Sequence, residues 1–283
     1  MALYINTPVG LEITWTPEDE ESWGQNLNYA EYAKSDTVLK PATYSDKEQT
    51  FYAMMFGLDG RMSSISYALS DERNANRDDG NGYYVKMTCY VRTDENVAVS
   101  LSRAYENSGT YLIGTPVWNE EEILHSDGGQ GAQSAVRIGF RITRYDLQGE
   151  QTEEPVFIIY EPNSNSHLDP WLPGEYLPTQ SMDGTENLVP EDRLIRQTNT
   201  VWFEMDPVQR ETLVYQYGEF LDDQHLFDLD EDCTAKIEIY LWLEGQDIDC
   251  TNEIGNEAQI FANIQFHSVS RPNSGMHEIE TNQ

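Results

Sequence analysis

The sequence predicts an all-β protein, a jelly-roll-like β-sandwich with long loop insertions and little helix. Three observations predict it. Apolar and polar residues alternate at period two in several separate runs, the pattern of strands with one apolar face. The runs are punctuated by turn-forming clusters such as Asp-Asp-Gly-Asn-Gly at 78–82. Two long alternating runs, at 236–243 and 259–266, close the chain and read as the spine of the domain.

In the first of these closing runs Ile237, Ile239, Leu241 and Leu243 share one face, and Lys236, Glu238, Tyr240 and Trp242 share the other. An acidic turn follows Glu244-Gly245. Ile260, Ala262, Ile264 and Phe266 then line one side of the second run. Taken from the start, Leu3 and Ile5 make a first short piece. Leu11, Ile13 and Trp15 make a second after Thr7-Pro8. Residues 17–36 are acidic and irregular, with a helical turn expected around Trp23–Tyr32. Strands are expected at Thr37–Lys40, Thr50–Phe56 and Met62–Leu69, and residues 71–82 form a polar loop.

Tyr83–Thr93 places Val85, Met87, Cys89 and Val91 inward, and a turn at 93–96 suggests a hairpin with Val97, Val99 and Leu101. Residues 104–133 read mostly as loop. Ala135–Arg144 points Val136, Ile138, Phe140 and Ile142 inward and Arg137, Gly139 and Arg141 outward. Pro155–Tyr160 is a short strand. Residues 161–198 hold five of the 12 prolines and form a Pro-rich insertion. Thr198–Met205 reads as a further strand, and Leu213–Tyr217 is ambiguous. The whole, 1–283, reads as one elaborated domain, since all-β architectures use this length for a single core.

The charge is extreme, 50 Asp plus Glu against 17 Lys plus Arg, a net of -33. Nucleic acid and anionic membrane surfaces are therefore poor partners, because both need clustered cations. The 17 Tyr, 9 Phe and 6 Trp, set in alternating runs, argue against disorder. No apolar run approaches the ~18 residues of a membrane span, so no membrane insertion is expected in the mature form. No signal peptide is visible, which fits either a cytosolic protein or a mature form whose leader has been removed. Of the three cysteines, Cys89 reads as core. Cys233 and Cys250 flank a strand roughly 30 Å long, too far for the ~7 Å of a disulfide unless the turn runs back along it.

No His-, Ser- or Gly-based catalytic motif is present, and the five histidines are scattered. No enzyme is expected. Paired carboxylates carry no specificity among fifty acids. Calcium is the one cofactor to weigh, since hard cations take clustered carboxylates and carbonyls. Asp247, Asp249, Asn252 and Glu253 form one candidate cluster in a turn; Asp228, Asp230 and Asp232 form another on an extended segment. Neither matches a calcium-loop motif, and a hydrated turn is the competing account. An intramolecular Lys–Asn isopeptide would need Lys86 or Lys236 buried, yet both alternate onto polar faces.

The run IEIYLWLEGQDIDCTNEI at 237–254 resembles a strand-turn signature of the camelysin/TasA-like exported surface and biofilm-matrix fibre proteins of Gram-positive bacteria. GYYVKMTCYVRT at 82–93 and SAVRIGFRI at 134–142 are similar to other strands of that group. The resemblance covers about a fifth of the chain. It implies a jelly-roll domain exported after leader cleavage, hence extracellular or at the cell surface, without catalysis. Its partners would be copies of itself and cell-surface or matrix components. It also implies that an N-terminal segment of one subunit completes the sheet of the next by β-augmentation. The candidate donor lies within residues 1–8, at Ala2–Asn6, with Leu3, Tyr4 and Ile5 as the polymer contact. The competing account makes it an ordinary first strand of its own sheet. A secreted carbohydrate-binding or adhesive module, with Trp118, Trp171 or Trp242 stacking on a sugar, is the alternative function. A hydrolase with a scattered site is a third.

Overall fold

A computed structural model describes residues 2–29, 38–56, 62–69, 81–103, 108–114, 135–162, 164, 190–198, 201–204, 212–215, 218–247, 250 and 260–272. Strands are numbered in chain order. The first eight are β1 (Ala2–Asn6), β2 (Leu11–Thr14), β3 (Asn26–Asn28), β4 (Val38–Leu39), β5 (Ala42–Ser45), β6 (Thr50–Phe56), β7 (Met62–Ala68) and β8 (Asn81–Gly82). Next come β9 (Tyr84–Thr93), β10 (Val97–Leu101), β11 (Tyr111–Gly114), β12 (Val136–Tyr145), β13 (Val156–Glu161) and β14 (Leu194–Arg196). The last are β15 (Val201–Glu204), β16 (Thr212–Tyr215), β17 (His225–Leu229), β18 (Thr234–Leu243) and β19 (Ile260–Ser270). The described residues contain no helix of seven residues or more.

The expected all-β sandwich forms. Sheet I runs β17-β10-β19-β1-β3, with β11 also on β19; sheet II runs β14-β13-β12-β18-β9-β2. Their inner faces meet in one aliphatic core. Sheet II contributes Val85, Met87, Cys89, Ile138, Phe140, Ile237, Ile239 and Leu241, and sheet I contributes Leu3, Ile5, Val99, Ala262, Ile264 and Phe266. These are the residues the alternation assigns inward, because period two in sequence is a face in a sheet. Both sheets are mixed: β1 runs parallel to β19 and β14 parallel to β13, while the other pairings in the two sheets are antiparallel.

A second layer covers the other side of sheet II. Strands β5, β6 and β7 form a three-stranded antiparallel sheet. Ala42, Tyr44, Phe51 and Ala53 from it pack on Tyr84, Phe157, Ile159, Tyr240 and Trp242. The rings interlock: Tyr44 stacks on Phe157 at 4.2 Å, Phe51 stacks on Tyr84 at 4.5 Å, and Phe51 meets Trp242 edge-on at 5.1 Å. Sheet II is thus apolar on both faces over this stretch. The face of β18 expected to be polar is polar only at its start. Lys236 and Glu238 keep some exposure, whereas Tyr240 and Trp242 are buried. Alternation separates two faces but does not reveal what lies over each.

Two further expectations are corrected. The turn at 93–96 does not make a hairpin. It carries the chain across the sandwich, so β10 pairs with β17 and β19 of sheet I while β9 stays between β18 and β2 in sheet II. Both strands have one apolar face, and facing each other across the core buries those faces as well as pairing side by side would. Asn26–Asn28, inside the stretch expected to be a helical turn, is a strand on the edge of sheet I. The two closing strands, β18 and β19, each lie inside a sheet, one in each of the two.

None of the three cysteines is in a disulfide. Cys89 is fully buried, its Sγ 3.7 Å from the Ile237 carbonyl oxygen, and burial pushes its thiol well above the usual range. Most of the Pro-rich insertion lies outside the described residues. No helix among the described residues is long and apolar enough to cross a membrane.

Gly139, opposite Tyr240 on β12, leaves room for the Phe157 ring, whose Cζ lies 2.4 Å from where a Cβ would stand. That ring is pinned between Tyr44 and Tyr240. Gly139→Val is expected to destabilise the protein by about 1–3 kcal/mol through overpacking, read as a lower urea midpoint.

Candidate functional site

The candidate polymer contact is a strand of the chain's own sheet. β1 lies between β19, with five parallel register pairs from Ala2↔Phe261 to Asn6↔Gln265, and the short β3, antiparallel over Tyr4–Asn6. Leu3 and Ile5 are each only 1% exposed, sunk in the aliphatic core. Tyr4 points the other way, partly exposed, with its ring 5.7 Å from that of Phe261, which in turn stacks on Tyr111 of β11 at 5.9 Å. Asn6 Nδ2 donates to Asn263 Oδ1 at 2.9 Å, and Asn263 Nδ2 donates to the Gly109 carbonyl at 2.6 Å.

Beyond Asn6 the chain leaves sheet I. Thr7 N–H donates to the Gln25 carbonyl, and the Thr7 hydroxyl donates to the Leu11 carbonyl at 2.8 Å. Gly10 has φ 89°, the left-handed region that glycine enters at little cost, and the chain enters β2 of the opposite sheet. Residues 7–10 alone connect β1 to β2.

The turn after β18 was the other candidate. Of Asp247, Asp249, Asn252 and Glu253, only Asp247 lies within the described residues. Its side chain is fully buried, and Oδ2 accepts from Arg137 Nη2 at 2.8 Å. The same Nη2 lies 3.1 Å from Glu161 Oε1, and Arg137 Nη1 donates to the Val136 carbonyl. Asp247 Oδ2 is thus engaged by a guanidinium, and Asp249, Asn252 and Glu253 lie outside the described residues. Asp228 and Asp230 of the second cluster are likewise bridged by Arg271, at 2.9 and 2.8 Å. Among the described residues no group of three His, Cys, Asp or Glu side chains is placed to hold a metal ion.

Arg137, expected to face outward to solvent, does lie on the outer face of β12 but has no exposed surface. Burial alone would lower its pKa; the Glu161, Asp247 and Glu244 carboxylates outweigh that and raise it. Glu244, also buried, accepts from Trp242 Nε1 at 3.1 Å and from the Gln246 backbone N–H at 3.1 Å. The turn is tied to the covering sheet: Gly245 N–H donates to the Ala42 carbonyl, and Gln246 Nε2 donates to Thr43 Oγ1 at 2.7 Å. The LEG-D signature at 243–247 is therefore the clasp between sheet II and the three-stranded sheet. Sequence reasoning found the residues but took them for an open acidic turn, because the cation that neutralises them is 110 positions away.

Trp242 is fully buried and cannot serve as a platform for a sugar; Trp118 and Trp171 lie outside the described residues. Lys86 and Lys236 both pair with Glu238, at 2.9 and 3.4 Å.

Two predictions follow from the clasp. Arg137→Met would leave Glu161 and Asp247 buried without their counter-ion and is expected to lower stability by about 3–5 kcal/mol, measured by urea unfolding. Burial raises the Glu244 carboxyl from 4.5 to about 7, against the lowering effect of the Trp242 hydrogen bond and Arg137. A raised folded-state pKa makes Glu244 most favourable to folding below pH 4.5 and progressively less so up to about pH 7. Glu244→Gln should therefore unfold at higher urea than the parent at about pH 8. That gap should shrink as the pH falls toward 4.5.

No family model, no curated protein and no solved structure matches the chain.

Proposed function

We propose that the chain is a non-enzymatic secreted subunit that assembles with copies of itself into extracellular fibres, each copy lending its β1 to the next. The observation that carries this reading is the placement of β1. β1 fills an interior slot of sheet I, holds two core side chains there, and is joined to β2 by residues 7–10. Taking it out would leave β19 and β3 with open backbone edges and would uncover Ala262, Ile264 and Leu27. A vacant slot is thus unstable and must be filled, from within or from a neighbour.

Exchange keeps the same register pairs and the same buried leucine and isoleucine, so the two arrangements differ mainly in the path of the hinge. Such near-equality is the general basis of strand and domain swapping. If each copy lends in one direction only, the contact is heterologous and grows into a filament rather than a closed dimer. The resemblance of the 237–254 turn to exported matrix proteins supports the same reading and supplies the extracellular setting, with other surface or matrix components as secondary partners.

A net charge of -33 opposes bringing copies together, so assembly should be promoted by salt or divalent cations that screen it. The test is a reversible lock. Tyr4 and Asn263 are register partners on the outer face of the sheet, away from the core. In a Tyr4→Cys/Asn263→Cys variant the oxidised form holds β1 in its own subunit. Electron microscopy is expected to show filaments from the parent chain and the reduced variant at raised ionic strength, and none from the oxidised variant. Filaments that persist with the internal bridge intact would refute exchange. A parent chain that stays monomeric at every concentration and ionic strength would refute the fibre reading itself.

A further inference from the structure

Three reactive side chains meet where the turn after β18 touches the covering sheet. Ala42 of β5 forms an isolated parallel bridge with Glu244, and Gly245 N–H donates to the Ala42 carbonyl at 2.8 Å, so Thr43 is held against the turn. Gln246 Nε2 donates to Thr43 Oγ1 at 2.7 Å. That leaves the Thr43 hydroxyl proton for the Glu244 carboxyl, on which the Thr43 side chain also acts by hydrogen bonding. A hydroxyl, a primary carboxamide and a carboxyl are thus gathered at one point from Thr43, Gln246 and Glu244.

Thr43 is 2% exposed and Glu244 0%, so water is kept from both, while Gln246 retains partial exposure. An alcohol is a weak nucleophile until a neighbouring base takes its proton. Glu244 is placed to be that base. Its Oε1 is fixed by the Gln246 backbone N–H and its Oε2 by Trp242 Nε1, each at 3.1 Å. Burial holds its carboxyl at about 7, against the Trp242 hydrogen bond and Arg137. Near neutrality it therefore populates both the form that accepts a proton and the form that returns one. The carboxamide carbon of Gln246 lies one bond beyond Nε2. Rotation about the last torsion of that side chain, a soft one, turns the face of the amide toward Oγ1. Reactants already held in contact avoid most of the entropic cost of meeting.

We propose that Thr43 and Gln246 become joined by an internal ester. Thr43 Oγ1 attacks Cδ of Gln246 while its proton passes to Glu244. The Cδ–Nε2 bond then breaks as Glu244 returns the proton to the departing nitrogen. One C–O bond forms, one C–N bond is lost, and one ammonia leaves past the partly exposed Gln246 side chain. No oxidant and no second reactant is consumed. The product ties β5 covalently to the turn that ends β18, so the covering sheet cannot be peeled from sheet II without breaking a bond. The burial of Thr43 and Glu244 also shields the ester from hydrolysis. The bond forms within one chain, whatever β1 pairs with.

The test is the intact mass of the full, folded chain after incubation at about pH 7, where Glu244 can both take and give a proton. A mass one ammonia below that of the sequence is expected. Digestion should then give a single branched peptide that joins Thr43 to Gln246 and is opened by hydroxylamine. Thr43→Val, close in size but without the hydroxyl, should retain the ammonia in full, and so should Glu244→Gln, which lacks the base. An Asn-Gly pair such as Asn81-Gly82 loses ammonia to a cyclic imide without any cross-link. A loss that persists in Thr43→Val, or that maps elsewhere in the digest, would therefore overturn the proposal. So would an undiminished loss in Glu244→Gln, or a parent chain that keeps its full mass through prolonged incubation while folded. The parent measurement needs no variant. With the ester present, the effect of Glu244→Gln on urea unfolding is read between chains that both carry Thr43→Val, since neither can be cross-linked.

Discussion

The structure depends on one strand being buried on both faces. β18 sits inside sheet II between β12 and β9. Its isoleucines and leucines enter the sandwich core, and its Tyr240 and Trp242 enter the aromatic layer beneath β5–β7. A strand exposed on one side can tolerate substitutions there; this one is constrained at nearly every position from Ile239 onward. The burial of a large apolar side chain is worth roughly 1.5–3 kcal/mol, and β18 contributes such side chains to two cores at once. The turn that ends it must also satisfy its polar groups away from water, and Arg137 with Glu161, Asp247 and Glu244 accomplishes this. The acidic clasp is a consequence of covering the second face.

That arrangement also explains where the few cations go. Rather than dotting the surface, several arginines tie loops and turns to the sheets. Arg92 holds Glu12 and Glu20, Arg193 holds Asp46, Arg196 holds Asp222, and Arg271 holds Asp228 and Asp230. Asp222 is pulled below the usual carboxylate range by its two-point pairing with Arg196, which overcomes its partial desolvation. In a chain this acidic each such pair relieves local repulsion as well as forming a bond.

Sheet I has a different weak point. Its interior is completed by the first strand of the chain, which reaches β19 in parallel and is followed at once by a crossing to the other sheet. β1 hydrogen-bonds on both sides within sheet I, and residues 7–10 join it to β2 of the opposite sheet.

The alternation by itself determined which residues share a face, and it did so for β1, β2, β9, β12, β18 and β19, because side-chain direction along a strand follows from backbone geometry. Pairing was decided only in three dimensions. Nothing in residues 93–97 distinguishes a hairpin from a crossing between sheets, since both bury the same apolar face. The burial of Tyr240 and Trp242 was beyond the sequence for a related reason: what lies over an outer face is supplied by residues 42–53, far away in the chain, and desolvation depends on that cover rather than on the residue type beneath it.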